Sequence, residues 1–162
     1  FYGTNGGLHT ADDIVLTQAA LSGANEADDQ FGSALAQGDL DGDGFDDLVV
    51  GVPGEDYGNH PGTGRAVVLR GSARGLLLGP ETLDIEADAT PLIDQRMGAS
   101  LAVGDFDGDG KDDVAIGCPG DGGGAVRVFR GNRGPLLRVW LPSMMVEYGL
   151  WLKSTEACGS SV

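Results

Sequence analysis

Short apolar runs alternate with glycine-rich turns along most of this chain. In the clearest unit the runs predict four strands, at about 33–38, 48–52, 66–69 and 81–85. Strand-length runs of β-branched residues that end at Gly or Pro are typical of antiparallel sheets. Residues 1–3 and 13–17 are predicted to be the last two strands of a preceding unit.

The strand pattern occurs twice with a nearly constant spacing. Residues 30–54 align with 96–120 at an offset of 66 without a gap, and 14 of these 25 positions are identical. A further match, Gly64–Gly71 against Gly124–Gly131, has an offset of 60. A repeat of this length that holds several short strands is typical of a propeller or a solenoid. Four short strands with tight connections predict one propeller blade for each repeat.

The register of the repeat divides the chain into four parts. We expect the C-terminal half of a preceding blade at 1–25, one blade at 26–90, a second blade at 91–143, and a tail of unknown structure at 144–162. The predicted fold is therefore an all-β, incomplete propeller of about two and a half four-stranded blades, since propellers use about four to eight. A fragment of a longer protein is the favoured explanation, and a ring closed by self-association is the alternative.

Two acidic nonapeptides lie at the same place in the two units. Each has aspartates at positions 1, 3, 5 and 9 and a glycine at position 6, and we call them loop 1 (residues 39–47) and loop 2 (residues 105–113). Such a run of carboxylates repels itself unless a cation lies among them. Calcium, which takes about six to eight oxygen ligands, meets that need. An acidic turn without metal needs only one or two such residues, so the doubled pattern predicts two Ca²⁺ sites.

The same spacing occurs in EF-hands, and this alternative can be tested. An EF-hand needs a bidentate acid at position 12 of its loop. Position 12 is Val50 in one copy and Ile116 in the other, and both are apolar. Apolar β-branched runs, not helices, follow the two loops. The sequence therefore predicts calcium loops that join two β-strands.

We predict that side chains at positions 1, 3, 5 and 9 and the backbone carbonyl at position 7 bind the cation. Position 7 is Phe45 in loop 1 and Lys111 in loop 2, as expected for a ligand that uses only its main chain. The acids at position 8, Asp46 and Asp112, are expected to point away and to support the loop or face solvent. The predicted metal ligands are Asp39, Asp41, Asp43, Phe45 and Asp47 in loop 1, and Asp105, Asp107, Asp109, Lys111 and Asp113 in loop 2.

Composition and charge narrow the possible partners. The formal net charge is −15, and two bound calcium ions would change it only to −11. An acidic field of this size repels phosphate backbones and anionic membranes, so nucleic acid is not an expected partner. The sequence has no run of about 18 apolar residues that could insert into a membrane. The 29 glycines follow no strict three-residue period, which excludes collagen.

Other polar residues do not form a catalytic constellation in the sequence. His9 and His60 lie in glycine-rich turns, and neither G-x-S-x-G nor H-E-x-x-H occurs. The connection at 55–63 carries Tyr57, Asn59 and His60 and is the best candidate for partner contact. Cys118 is expected to be a small buried residue, and its pairing with Cys158 is left open.

The two repeats resemble the FG-GAP repeat of integrin α-subunit β-propellers and related secreted bacterial proteins. Phe31-Gly32 corresponds to FG and Gly51-Val52-Pro53 to GAP, while the second copy has Met97-Gly98 and Gly117-Cys118-Pro119. The resemblance covers about residues 1–142. It implies a seven-bladed propeller in the complete protein, with structural calcium loops on one face and ligand recognition by loops on the other side.

These observations lead to an expected function and a runner-up. We expect a non-enzymatic, calcium-binding propeller segment of an extracellular, secreted or cell-surface protein that serves adhesion or binds a protein or glycan ligand. The alternative is an accessory propeller module of a secreted hydrolase or lyase whose catalytic domain lies outside this chain. In either case the remaining blades, or further copies of the chain, would close the ring.

Overall fold

The strands form one hairpin and two four-stranded sheets in the part of the chain that the structure describes. This computed structural model describes residues 14–21, 26–78, 93–120 and 123–132, and the backbone of strands at 2–4, 7–9, 83–86 and 138–139. The predicted tail at 144–162 lies outside the described residues. The elements are β1 (Tyr2–Thr4), β2 (Gly7–His9), α1 (Gln18–Leu21), β3 (Leu35–Gly38), β4 (Asp47–Val52), β5 (Arg65–Leu69), β6 (Leu83–Glu86), β7 (Ser100–Gly104), β8 (Asp113–Cys118), β9 (Ala125–Arg130) and β10 (Arg138–Val139).

Each four-stranded sheet is a simple antiparallel meander. Strands β3 to β6 form the first sheet, which we call blade 1, and β7 to β10 form the second, which we call blade 2. The first strands of the two blades, β3 and β7, lie next to each other. The prediction of an all-β fold built from four-stranded antiparallel blades is confirmed, and the hairpin and two sheets make an incomplete propeller.

The strand predicted at 13–17 is wrong. The second strand of the first hairpin is β2, which pairs directly with β1, and residues 14–17 are not in a strand. The sequence Asn5-Gly6 between these strands is a strong signal for a two-residue hairpin turn. Ile14 and Val15 are 51% and 78% exposed, so their apolar character does not mark a buried strand.

The two faces of blade 1 are both covered. Val50, Val67 and Leu69 on one face pack with Leu16 and partly buried residues from outside the sheet. On the opposite face, Val49, Ala66 and Val68 form a core with residues of blade 2. The blade 2 members of that core include Leu101, Val114, Ile116, Cys118 and Phe129. Blade 1 therefore lies between two apolar layers, which explains the uninterrupted burial of β5.

Blade 2 differs because only one of its faces is covered by described residues. Ile116 and Phe129 point into the core shared with blade 1. On the other face, Val126 is 54% exposed and Ala102 is also exposed. Cys118 is buried as predicted, and it is disulfide-bonded rather than a free thiol. The sequence holds one other cysteine, Cys158, outside the described residues.

Candidate metal centre

Loops 1 and 2 join the first and second strands of their blades. Loop 1 follows β3, loop 2 follows β7, and in each the last aspartate begins the next strand. The backbone turns through glycines in the left-handed region, with φ of 71° at Gly42 and 93° at Gly44. Gly108 and Gly110 adopt the same conformation in loop 2. Since other residues rarely adopt such angles, these glycines allow the chain to wrap around its own carboxylates.

Three carboxylates converge in each loop. One oxygen from each of Asp39, Asp41 and Asp43 lies within 4.8 Å of the others. The equivalent residues of loop 2, which are Asp105, Asp107 and Asp109, form a cluster of the same kind. The structure therefore brings together the side chains at positions 1, 3 and 5 of both loops.

Backbone N–H groups hold these carboxylates inward. In loop 1, Asp39 accepts hydrogen bonds from the N–H of Asp43 at 3.0 Å and of Gly44 at 2.9 Å. Asp41 also accepts from the N–H of Asp43, and Asp43 accepts from the N–H of Phe45. Loop 2 repeats all four contacts. The loop conformation is thus set by the aspartates at positions 1, 3 and 5.

The aspartate at position 9 is placed differently from the other three. Asp47 is 1% exposed, and its two oxygens accept hydrogen bonds from the N–H of Leu40 at 3.2 Å and of Gly71 at 2.8 Å. Asp113 accepts from Phe106 and Gly131 in the same way, both at 3.0 Å. Neither residue belongs to the three-carboxylate clusters. Each ties the start of its loop to a glycine just beyond the third strand, and their role as metal ligands stays a prediction.

Burial changes the acidity of the position 9 carboxyls. Desolvation raises the pKa of Asp47 from 3.8 to about 6, and the nearby charges of Asp41 and Asp43 add to this effect. The pKa of Asp113 is also raised, mainly by burial. By contrast, the pKa of Asp109 is lowered, chiefly because its side chain accepts a hydrogen bond from Lys111.

Position 7 has different side chains but the same place in both loops. Phe45 is 41% exposed, and its side chain does not belong to the carboxylate cluster. The Lys111 Nζ lies 3.0 Å from Oδ2 of Asp109 and so contributes a positive charge to loop 2. The predicted use of the two position 7 carbonyls as ligands stays a prediction.

Two arginines lie at the loops that the spacing of the aspartates does not predict. Arg70 follows β5 and its Nη1 lies 3.0 Å from Oδ2 of Asp41. Arg130 ends β9 and contacts Asp107 and Asp109, the latter at 3.1 Å. The signal was in the sequence, because both arginines precede the glycine that closes the second repeat match, Gly71 or Gly131.

The donor set of each loop fits a hard divalent cation. Carboxylate and carbonyl oxygens are the ligands that calcium takes, and it accepts irregular, flexible geometry. The three convergent carboxylates lie beside one arginine in loop 1 and beside Arg130 and Lys111 in loop 2, so the acidic groups outnumber the cationic ones in both loops. The residues present are therefore compatible with a calcium ion in each loop.

The connection at 55–63 lies at the other end of the strands. Tyr57 and His60 exchange two backbone hydrogen bonds of 3.1 and 3.0 Å, so this segment closes into its own turn. The Tyr57 side chain is 47% exposed, and Asn59 is also exposed. A groove beside the turn is lined by residues of both blades, among them Asp28, Asp56, Asp94 and Arg96.

Comparison with known proteins identifies the repeat. The family model "FG-GAP repeat" matches residues 31–69 and 97–129. Human phosphatidylinositol-glycan-specific phospholipase D is 36% identical over 115 residues, which are 64% of this chain and 14% of that protein. Integrin alpha-4 of Xenopus laevis is 35% identical over 128 residues, which are 77% of this chain and 12% of that protein.

A second phospholipase gives the widest coverage of this chain among these three relatives. Mouse phosphatidylinositol-glycan-specific phospholipase D is 35% identical over 150 residues, which are 80% of this chain and 17% of that protein. The chain thus spans less than a fifth of the length of these curated relatives. The one helix within the described residues, α1, is far too short to cross a membrane. The chain is therefore an FG-GAP repeat protein, with one repeat in each of its two four-stranded sheets.

Proposed function

We propose that this chain is a calcium-stabilised, non-catalytic propeller segment of an extracellular protein, and that it serves adhesion or the binding of a protein or glycan ligand. The observation that carries the proposal is the convergence of three carboxylates at the same place in both FG-GAP repeats. The relationship to integrin alpha chains supports the extracellular and adhesive part of the proposal.

The metal is proposed to be structural. Each cluster lies in a loop that joins two adjacent strands of its own sheet, and the backbone of that loop holds its carboxylates. When bound, calcium would supply positive charge and oxygen coordination that hold each loop closed. The ligands are proposed to be Asp39, Asp41, Asp43, Asp47 and the carbonyl of Phe45 in loop 1, and Asp105, Asp107, Asp109, Asp113 and the carbonyl of Lys111 in loop 2.

A calorimetric titration tests the calcium proposal. We expect two equivalents of calcium to bind with dissociation constants of about 10⁻⁴–10⁻³ M, the range of extracellular modules, and to raise the melting temperature. The variants Asp43→Ala and Asp109→Ala should each lose one equivalent. Asp56→Ala, an exposed aspartate at the other end of blade 1, is the matched control and should keep both. No heat and no thermal shift at several millimolar calcium would overturn the proposal.

A further blade is proposed to cover the exposed face of blade 2. The equivalent face of blade 1 is covered by blade 2 itself, through Val49, Ala66 and Val68. Because the two repeats align, Ala102 and Val126 lie on the equivalent face of blade 2 and would pack against the same kind of apolar neighbour. The remaining blades of a longer chain are the proposed source, and sedimentation with and without calcium tests the other source, self-association. A monomer in both conditions would exclude a ring of several chains.

The groove at the opposite end of the strands is proposed as the surface for an extracellular ligand. It lies between the two blades and combines three carboxylates with Arg96 and an exposed Ile93. Because its walls come from both blades, a ligand there would depend on their packing. Substitution of Tyr57, which projects from the adjacent turn, is expected to weaken ligand binding without reducing calcium binding.

A second function is favoured by the phospholipase relatives. Their name describes an enzyme, and the matched part is only 14% of the human protein. This chain would then be an accessory propeller module, with the chemistry in residues outside it. A longer reading frame around this segment discriminates the two proposals. A catalytic domain in it supports the accessory module, and a stalk or a membrane anchor supports the adhesive protein.

A further inference from the structure

Loops 1 and 2 touch each other through Asp39 and Asp112, which belong to different blades. The N–H of Asp39 donates to Oδ2 of Asp112 at 2.9 Å. The N–H of Asp112 donates to the carbonyl oxygen of Asp39 at 3.0 Å. Two reciprocal hydrogen bonds therefore connect position 1 of loop 1 to position 8 of loop 2.

Glycines make this close approach between the loops possible. A Cβ atom on Gly38 would lie 2.4 Å from Oδ2 of Asp112, and one on Gly131 would lie 2.5 Å from the carbonyl oxygen of Leu40. Nonbonded carbon and oxygen atoms do not come this close, so a side chain at either glycine would push the two loops apart. The stem of Lys111 also lies over Gly42, with its Cγ 3.1 Å from the position of a Cβ there. The contact is thus a packed junction between the loops.

Both ends of the junction are attached to the carboxylate clusters. Asp39 has a central place in loop 1, because its side chain accepts the N–H groups of Asp43 and Gly44. Asp112 lies between Lys111, whose side chain pairs with Asp109, and the buried Asp113. A cation that orders loop 2 would also fix Asp112, and with it the backbone of Asp39.

We infer that Asp112 is a positioning residue that couples cation binding at the two loops, an inference that rests on the proposed calcium function. Once loop 2 is ordered, less conformational freedom remains to be lost when loop 1 binds. The coupling is positive and reciprocal, since each site must change the affinity of the other by the same factor. We expect a factor of about five, at the low end of measured couplings.

The first loop supplies a matched control residue. Asp46 occupies position 8 of loop 1, as Asp112 does in loop 2. Its carboxylate is exposed and accepts a long hydrogen bond of 3.4 Å from Gln37 in its own blade. Removal of Asp46 should therefore leave the coupling between loops 1 and 2 intact.

The test is calcium calorimetry on the full chain, with single-site variants as references. Asp43→Ala gives the affinity of loop 2 alone, and Asp109→Ala gives the affinity of loop 1 alone. The product of the two wild-type association constants, divided by the product of these single-site constants, is the coupling factor. We expect a coupling factor of about five for the wild type. When Asp112→Ala is added to the two-site protein and to both single-site variants, the factor should fall to about one.

Two further variants separate the hydrogen bond from charge and from general effects on folding. Asp112→Asn keeps an oxygen that can accept the N–H of Asp39, so the coupling factor should stay near the wild-type value. Asp46→Ala should also keep it. Circular dichroism shows whether Asp109→Ala folds. If it does not, the steepness of the two-site calcium isotherm is compared between Asp112→Ala and the wild type, and we expect a less steep isotherm in Asp112→Ala.

The outcomes distinguish the inference from the function on which it rests. Two filled sites with a coupling factor of one or less overturn the role of Asp112 and leave the calcium proposal standing. A factor that falls equally in Asp46→Ala also contradicts a specific role for Asp112. Absence of calcium binding in the wild type overturns both proposals.

Discussion

The guanidinium of Arg70 lies 3.0 Å from the carboxylate of Asp41 and joins the end of the third strand of blade 1 to its acidic loop. Arg130 makes the equivalent connection in blade 2, where it contacts Asp107 and Asp109. In each blade an arginine thus lies beside a cluster of three carboxylates and partly neutralises it, and in blade 2 Lys111 adds a second cationic side chain.

Removal of this arginine should have opposite effects on the calcium-free protein and on calcium affinity. Arg70→Met deletes a partly buried ion pair, which contributes about 0.2–1 kcal/mol when exposed, so the melting temperature in chelator should fall by a few degrees. The same change removes positive charge close to Asp41 and should tighten calcium binding at loop 1 severalfold. Scanning fluorimetry and calorimetry measure the two effects. Weaker calcium binding in the variant would contradict this account.

Asp47 should be more important for stability than the exposed aspartates of its loop. Asp47→Asn keeps one acceptor oxygen but loses the other, which leaves one of the buried N–H groups of Leu40 and Gly71 without an acceptor. The expected cost is about 1–3 kcal/mol in the free energy of unfolding. Urea titration in chelator measures it, with Asp43→Asn as the control because Asp43 is exposed. Equal stability of the two variants would count against the role of Asp47 in tying the loop to Gly71.

The raised pKa of Asp47 predicts how pH acts on the calcium-free protein. Its folded-state pKa of about 6 lies above the unfolded value of 3.8, so the native state binds more protons between these values. The stabilising contribution of this group is full below about pH 4 and is lost as the pH rises through about 6. In chelator, the free energy of unfolding should therefore increase when the pH is lowered from 7 to 5, and this increase should be smaller in Asp47→Asn.

Calcium should reverse that dependence on pH. The cation binds the ionised carboxylate, so protonation of Asp47 competes with it. The affinity of loop 1 should decrease as the pH is lowered below about 6, in the same window. Calorimetry in two buffers of different ionisation heat measures the proton released on binding. A calcium affinity that does not change between pH 7 and 5 would contradict participation of Asp47.

The contact between blades can be tested at Gly51. A Cβ at this position would lie 2.0 Å from the carbonyl oxygen of Gly98, which is backbone of the other blade. Gly51→Ala should therefore force the blades apart at a cost of roughly 1–3 kcal/mol or more. Gly123→Ala is the matched control, because its Cβ would meet nothing within 4 Å. Thermal unfolding should separate the two variants, and equal melting temperatures would contradict close packing at Gly51.

Local sequence was sufficient for the blades and for part of the site. The predicted strands at 33–38, 48–52 and 66–69 overlap β3, β4 and β5 closely. In these segments the alternation of apolar residues, the apolar runs and the turn residues all indicate the same strands. The spacing of the aspartates likewise predicted which carboxylates at positions 1, 3 and 5 would converge. Such features depend on residues close together in the chain.

Contacts between distant residues could not be predicted in this way. The pairing of Arg70 with Asp41 spans 29 residues, and that of Asp39 with Asp112 spans 73. Asp112 was expected to support its own loop or face solvent, but it supports the loop of the neighbouring blade. The prediction of a strand at 13–17 failed for another reason, because exposed Ile14 and Val15 have strand-forming side chains without the burial that strands in a blade require.

The unequal faces of the blades also give the array a direction. Blade 1 presents the small residues Val49, Ala66 and Val68 to larger side chains of blade 2, such as Ile116 and Phe129. A contact between two different faces is heterologous, so further units that used the same contact would add head to tail. A neighbour that covered Val126 in the same way would present a face like that of Ile116, and repeated additions of this kind would stop when the ring closed.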